Sequence, residues 1–198
     1  VFDYFFPGVM PGEPLSIPTS LKETWETTFF TETVLPTITH PANVTAVNQL
    51  LTVTGVSPYR YAPPTSTNSI EQLLWYNVFA TNDGVEKLGG QPFDNEHRWY
   101  SGSNDDARLN AAVERFNAEP PALEEIAAHY QTTGKLSVPL VTLHTTGDEG
   151  VPYQHAVDYR AKTIAADNIA LHEHMKVERH GHCNFTNFDA IQAFFTLV

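Results

Sequence analysis

The sequence lacks most of the features that mark specialised protein classes. It has one cysteine, Cys183, among 198 residues, so no disulfide can form within the chain. Lys and Arg number 11 against 23 Asp and Glu, giving a formal charge of −12. An acidic chain without a basic cluster repels phosphate backbones, so no nucleic-acid partner is expected. No apolar run approaches the ~18 residues of a membrane span, and none is predicted.

The composition is that of a folded chain with a real core. Hydrophobic residues make up 41% and aromatic residues 12% of the sequence, which excludes a disordered protein. The low lysine content, with many Thr, Asn and Pro residues, leans towards an exported protein without fixing a compartment. The opening, 1–8, is too apolar for a solvated terminus, so we expect it to begin in the middle of a fold.

Residues 9–134 carry helical periodicity. Ser20 is predicted to cap a helix on which Trp25 is buried, and Asn43 to cap a second that stops at Gly55. Residues 56–68, with three prolines, predict a loop. Further starts and stops are predicted at Ser69 (a capping box with Gln72), Gly84, Gly89-Gly90, the run Ser103-Asn104-Asp105-Asp106, Pro121 and Gly134.

The pattern changes in the last third of the chain. It predicts a strand over 138–143, a helix over 153–166, a strand over 170–177 and a helix over 186–197. Strand–helix–strand order is typical of a βαβ unit with parallel strands, so the fold class is α/β. Two parallel strands cannot cover their own faces and edges, so this part is expected to need more protein.

Two residues of the last third are candidates for acid–base chemistry. Asp148 follows the first strand, where a carboxylate can orient a histidine, and His182 follows the second in a Gly-His loop. The order Asp then His after successive strands is that of a serine hydrolase on a parallel sheet. Glu149 is the alternative acid and His180 the alternative base.

The nucleophile of such a site is missing, because no Gly-x-Ser-x-Gly occurs in the chain. We therefore expect the serine upstream of Val1. Cys183 is the alternative nucleophile, but adjacent residues point apart on an extended chain. The preferred interpretation is that Cys183 is a small buried thiol packed behind the loop.

Two other features compete for the functional role. The cluster His172, His174, His180 and His182 has His-x-His spacing, which suits zinc and is the rival hypothesis of a metal-binding protein. The segment 93–102 is dense in polar and aromatic residues. It is interpreted as a structural tie through Arg98 and Asp94, with a substrate entrance as the alternative.

The runs P-L-V-T-L-H-T-T-G-D-E-G-V-P-Y (139–153) and G-H-C-N-F (181–185) resemble the carboxyl-terminal part of the α/β-hydrolase superfamily. The spacing departs from the usual Gly-x-x-Asp, because Gly147 abuts Asp148. The resemblance covers 135–198; it implies that 9–134 is a helical lid and that 1–8 ends a core strand or enters the lid.

By this resemblance Asp148 is the triad acid and His182 the base of a hydrolase acting on small-molecule carboxylic esters, less readily on amides. No cofactor is implied. The partner is an upstream segment of the same enzyme that carries the serine and the oxyanion hole, so the chain alone is expected to be inactive. A non-catalytic lid or binding module is the further alternative.

Overall fold

A computed structural model describes residues 1–11, 19–56 and 66–197, and the chain divides into two compact units. The helical unit comprises Val1–Val56 and Ile70–Tyr130. The sheet unit includes 131–197 and holds two parallel strands. The chain is therefore a mixed α/β protein in which helices dominate.

The helices before residue 131 are short and several are wound as π-helices. They are α1 (Phe2–Phe5), 3₁₀ turns at Thr19–Leu21 and Pro41–Asn43, a π-helix Trp25–Val34 running into α2 (Leu35–Thr39), α3 (Val44–Thr54), α4 (Ser66–Trp75) running into a π-helix Tyr76–Ala80, α5 (Thr81–Leu88), α6 (Asp106–Ala112), and α7 (Pro120–Glu125) running into a π-helix Ile126–Tyr130.

The core of the helical unit is built around Trp25. Its side chain and that of Val34 are fully buried, and Phe79 meets the Trp25 ring edge-on at 5.6 Å between centroids. Burying one such side chain is worth about 1.5–3 kcal/mol, so these residues hold the π-helix Trp25–Val34 against the helix that follows α4. A smaller cluster joins Val53 of α3 to Leu109 and Val113 around α6.

Several predicted helix ends are confirmed. Gly55 ends α3 and Gly89 ends α5, both with the left-handed φ that suits glycine, at 68° and 73°. Asp105 caps α6, because its Oδ1 accepts a hydrogen bond from Arg108 N at 3.0 Å. Pro121 lies in the first turn of α7, as predicted.

Other predicted ends are wrong. The capping box at Ser69 is not formed, because α4 begins at Ser66 and Ser69 is buried inside the helix. Gly84 does not break α5, since one glycine costs only about 1 kcal/mol in a helix and packing can offset it. Ser20 lies in a 3₁₀ turn, and the longer helix starts after Thr24. Asn43 donates to Thr37 O at 2.8 Å instead of capping α3.

The sheet unit is a βαβ unit, as predicted. It consists of β1 (Leu140–Gly147), α8 (Gln154–Ala165), a 3₁₀ turn (Ile169–Leu171), β2 (His172–His180) and α9 (Asn187–Leu197). The strands are parallel, with Leu140 opposite His172 and Thr145 opposite Val177. β1 begins two residues later and ends four residues later than predicted. The predicted loop 56–68 lies largely outside the described residues.

The sheet unit leaves much apolar surface exposed on its own helices. The large side chains of α9 are about half or more exposed at Phe188, Ile191, Phe194 and Phe195. None of the helices in the described ranges is long and apolar enough to cross a membrane.

Candidate active site

The end of β1 is shaped to present Asp148. The pairing with β2 shifts between Thr145 and Gly147, so that Gly147 stands opposite His180 and β2 carries one extra residue. Such a bulge bends a strand end and redirects the side chains beyond it. A Cβ at Gly147 would collide with the His180 ring, so glycine next to Asp148 is required by the close approach of that ring.

Asp148 is a buried carboxylate with both oxygens engaged. Only 3% of its side chain is exposed. Oδ1 accepts hydrogen bonds from the backbone N–H of Gly150 at 2.9 Å and of Val151 at 2.8 Å. This turn fixes the carboxylate plane and leaves Oδ2 for His182, whose Nδ1 lies 2.9 Å away. The structure thus brings together the two residues that the sequence selected, 34 positions apart.

His182 is held by a loop with two fixed points on the sheet. Gly181 N donates to Gly147 O at 3.3 Å, and Thr145 Oγ1 donates to Gly181 O at 2.7 Å. Gly181 has a φ of 100°, a conformation that residues with a Cβ rarely adopt. The ring itself is 48% exposed, so one edge faces the buried acid and the other faces outward.

The residues that follow His182 are held in place by Arg179 and Asp189. Arg179 Nη1 donates to Asn184 O at 2.7 Å and to Asp189 Oδ2 at 2.8 Å. Thr186 N and Oγ1 also donate to Asp189 Oδ2, and Asp189 N donates back to Thr186 Oγ1. The Arg179 hydrogen bond, with those of Thr186, lowers the pKa of Asp189 to about 2. The start of α9 is therefore a capping box tied to β2.

Cys183 is not the buried thiol that the sequence suggested. It is exposed, and its backbone has a left-handed φ of 51°. That conformation turns its Sγ to 3.6 Å from His182 Nε2, so the expectation that the two side chains point apart is also wrong. Asp148, His182 and Cys183 therefore form a chain from carboxylate to imidazole to thiol.

Glu149, the alternative acid, is placed differently from Asp148. It is buried, and its Oε2 has no hydrogen-bond partner in the described part of the chain. The His182 imidazole bonds to Asp148. The alternative base His180 ends β2, with its ring beside Gly147.

The remaining histidines of the cluster belong to a hydrogen-bonded network on the strands. Thr142 Oγ1 lies 2.9 Å from both His172 Nε2 and His174 Nδ1. Thr163 Oγ1 lies 3.1 Å from His172 Nδ1, and Tyr153 Oη lies 3.0 Å from His174 Nε2. Burial, more than any neighbouring charge, lowers the pKa of both histidines. They act as neutral hydrogen-bonding groups that link β1, β2 and α8.

This arrangement bears on the zinc hypothesis. In 1–11, 19–56 and 66–197 no three His, Cys, Asp or Glu side chains are grouped so that they could hold a metal ion. His172 and His174 bond to Thr142, whereas His182 bonds to Asp148 at the strand ends. In the described part of the chain, His172 and His174 therefore have a different partner from His182.

The polar segment 93–102 is fixed from within the helical unit. Arg115 Nη1 donates to Asn95 O at 2.6 Å and to Arg98 O at 2.7 Å. Arg98 stacks on Tyr100 within the helical unit, 5.4 Å from the ring centroid, and a tie of the helical region to the sheet through Arg98 and Asp94 stays a prediction. The segment is thus tied within the helical unit and also contributes to the lining of a cavity there, while its role as a substrate entrance stays a prediction.

Sequence reasoning missed the residues that position the site. The role of Thr145 could not be predicted from the sequence, because its hydrogen bond depends on Gly181 lying next to it in the fold. The pair Thr186 and Asp189 could have been found, since Thr-x-x-Asp before an apolar run is a capping-box pattern.

Comparison of the chain with protein families, with curated proteins and with solved structures finds no match.

Proposed function

We propose that the chain is the carboxyl-terminal portion of an α/β-hydrolase that cleaves carboxylic esters in preference to amides. Asp148 is its acid, His182 its base, and a serine on a segment upstream of Val1 its nucleophile. The observation that carries the proposal is the 2.9 Å contact from the half-exposed His182 ring to the buried Asp148 carboxylate. In a triad the acid is buried where it orients the histidine, and the histidine is exposed where it can reach the nucleophile.

The proton transfers of the proposed reaction follow from this geometry. Because Asp148 Oδ2 accepts from Nδ1, the ring carries its proton there, and Nε2, which lies on the side of the Cys183 thiol, is the nitrogen that can act as base. Nε2 takes the serine proton as the serine oxygen attacks the ester carbonyl, and Asp148 stabilises the imidazolium. Nε2–H then protonates the leaving alkoxide. Water repeats the sequence on the acyl-enzyme and releases the carboxylic acid and the free serine.

The anchoring contacts support the same role. A base must stay within about 3 Å of the proton that it moves, so its loop cannot drift. The bonds from Thr145 to Gly181 and from Arg179 to Asn184 hold the loop on both sides of His182.

The helical stretch precedes the sheet unit in the sequence, which is the position of a lid in the proposed hydrolase. Its apolar side chains favour an apolar acyl or aromatic ester substrate.

The test uses a serine-directed fluorophosphonate label on two proteins. One is the 198-residue chain, and the other is a longer polypeptide that adds the proposed nucleophile segment before Val1. We expect the longer polypeptide to take the label and to hydrolyse p-nitrophenyl acetate, and the chain alone to do neither. In the longer polypeptide His182→Gln should abolish both signals, whereas the matched control His180→Gln should keep them.

Failure of the longer polypeptide to take the label or turn over ester would overturn the proposal. That result would favour the non-catalytic lid or binding module. Loss of activity in His180→Gln with retention in His182→Gln would instead place the base at His180.

One observation favours a second candidate, a thiol hydrolase in which Cys183 is the nucleophile. Its Sγ lies 3.6 Å from His182 Nε2, and the thiol is exposed. Under this candidate the 198-residue chain itself hydrolyses the ester, and Cys183→Ala removes that activity. Under the serine proposal Cys183→Ala leaves the longer polypeptide active and still labelled.

A further inference from the structure

The helical unit contains a cavity that belongs to neither Asp148 nor His182. Its volume is about 530 Å³, inside the range of roughly 300–1,000 Å³ that is usual for small-molecule sites. Every residue that lines it lies in the helical unit. The larger apolar and aromatic side chains of its wall include Phe2, Leu51, Leu73, Phe93, Tyr100 and Phe116.

One wall of the cavity is fixed by hydrogen bonds before any ligand arrives. The buried Asn95 donates through Nδ2 to Tyr100 Oη at 3.3 Å and to Glu114 O at 2.9 Å. Its Oδ1 accepts from Phe116 N at 2.9 Å. Tyr100 is also held through its backbone, since its N–H donates to Asn110 Oδ1 and its carbonyl accepts from Asn110 Nδ2. A ligand therefore meets a preorganised aromatic wall and need not order it.

The charges on the wall indicate what the cavity accepts. Arg98 and Glu114 are exposed and of opposite sign, whereas Asp3 of α1 is half-buried. Burial raises the pKa of Asp3. The interior thus disfavours charge but offers a carboxyl oxygen as hydrogen-bond acceptor.

We infer that this cavity binds a neutral aromatic alcohol. The aromatic ring of the ligand packs edge-to-face or offset against Phe93, Tyr100 and Phe116, as aromatic groups prefer. Its hydroxyl donates to the Asp3 carboxyl. A charged ligand of either sign is disfavoured, because the largely apolar wall does not compensate for the loss of its hydration. The inference concerns binding within the helical unit and does not depend on hydrolysis at His182.

The experiment is a titration of the 198-residue chain followed by the backbone amide shifts of Phe93, Tyr100 and Phe116. The probes are 2-phenylethanol, ethylbenzene, 2-phenylethylamine and 3-phenylpropionate. We expect 2-phenylethanol to bind about tenfold more tightly than ethylbenzene, the difference that one hydrogen bond to a carboxylate makes. We expect weaker binding of the amine than of the alcohol, and none of 3-phenylpropionate.

Two substitutions locate the site. In Asp3→Leu the tenfold preference for the alcohol over ethylbenzene should fall to about one, while ethylbenzene still binds. The matched control Asp94→Leu changes an exposed acid outside the cavity wall and should keep the preference. Leu51→Trp fills the cavity and should abolish binding of both compounds, with an unchanged far-UV circular dichroism spectrum.

Three results would overturn the inference. They are absence of binding by 2-phenylethanol, binding of the anion or the amine at least as tight as that of the alcohol, and an unchanged alcohol preference in Asp3→Leu. If either variant fails to fold, the ranking of the four probes on the unmodified chain decides.

Discussion

The hydroxyl of Thr145 donates a 2.7 Å hydrogen bond to the carbonyl oxygen of Gly181, and this bond is buried. It joins the end of β1 to the loop that carries His182, across 36 positions of sequence. The two residues therefore connect the strand that presents the acid to the loop that presents the base. Any loosening of this bond should move the His182 ring relative to Asp148.

Thr145→Val tests this connection, because valine keeps the shape and removes the donor. We expect a loss of about 0.5–1.5 kcal/mol in the free energy of unfolding, because the buried bond is lost and the Gly181 carbonyl keeps only the 3.5 Å hydrogen bond from Asn184 N. Urea denaturation of the 198-residue chain, followed by circular dichroism, measures it. The control Thr196→Val removes an exposed hydroxyl that bonds only within α9, and should change stability by less than about 0.5 kcal/mol. Equal effects in both variants would refute the buried anchor.

Asp148→Asn and Glu149→Gln separate the two neighbouring acids. In the longer polypeptide of the proposed hydrolase, Asp148→Asn should lower kcat by about 10⁴-fold, because an amide cannot fix the tautomer or stabilise the imidazolium. Glu149→Gln replaces a buried carboxyl group whose Oε2 is unpaired in the described chain, and should leave kcat within about threefold. Steady-state hydrolysis of p-nitrophenyl acetate measures both. A large loss in Glu149→Gln with little in Asp148→Asn would reverse the assignment.

The sequence was sufficient to place the parallel strands and the contact between Asp148 and His182. Both follow from order along the chain, because strand ends of a parallel pair meet at one edge of the sheet. The close approach of the His180 ring to Gly147 needed the structure, since it depends on how β2 pairs with β1. The same holds for Cys183, whose left-handed backbone turns the thiol towards His182.

Local patterns failed where packing decided the outcome. Ser69 carries a capping-box pattern, yet it is buried within α4 because the helix begins three residues earlier. His172 and His174 look like metal ligands by spacing, yet each finds a hydroxyl partner in Thr142. A pattern gives the side chains that can make an interaction; the fold supplies the partner that is nearest.

The exposed face of α9 gives a further prediction. Phe188 and Phe195 are 72% and 70% exposed, which is unusual for large apolar side chains that lie close together on one helix. We expect the 198-residue chain to bind the dye 8-anilinonaphthalene-1-sulfonate and to associate as its concentration rises. Phe188→Ser with Phe195→Ser should reduce both effects, measured by dye fluorescence and sedimentation. We expect the added segment of the longer polypeptide to cover this face, so that protein should bind little dye; strong binding there would contradict the coverage.

The buried histidines of the strands set the pH dependence of stability. Burial lowers the pKa of His172, and the positive charge of Arg160 adds to the shift; burial also lowers the pKa of His174. Below about pH 6.5 the unfolded chain binds protons at these rings that the folded chain does not. Stability contributed by the neutral rings is therefore complete above about pH 6.5 and is lost as the pH falls towards the lowered pKa values of the folded state.

Urea midpoints of the 198-residue chain between pH 8 and pH 5 measure this loss. His172→Gln cannot take up a proton in either state, so its midpoint should fall less steeply over this range, although it starts lower at pH 8 because the bonds to Thr142 and Thr163 change. His155→Gln removes an exposed histidine and should keep the slope of the unmodified chain. Equal slopes in all three proteins would show that His172 is not the group whose protonation opposes folding. A flatter slope in His172→Gln alone would identify the neutral ring between Thr142 and Thr163 as a pH-sensitive link between β1, β2 and α8.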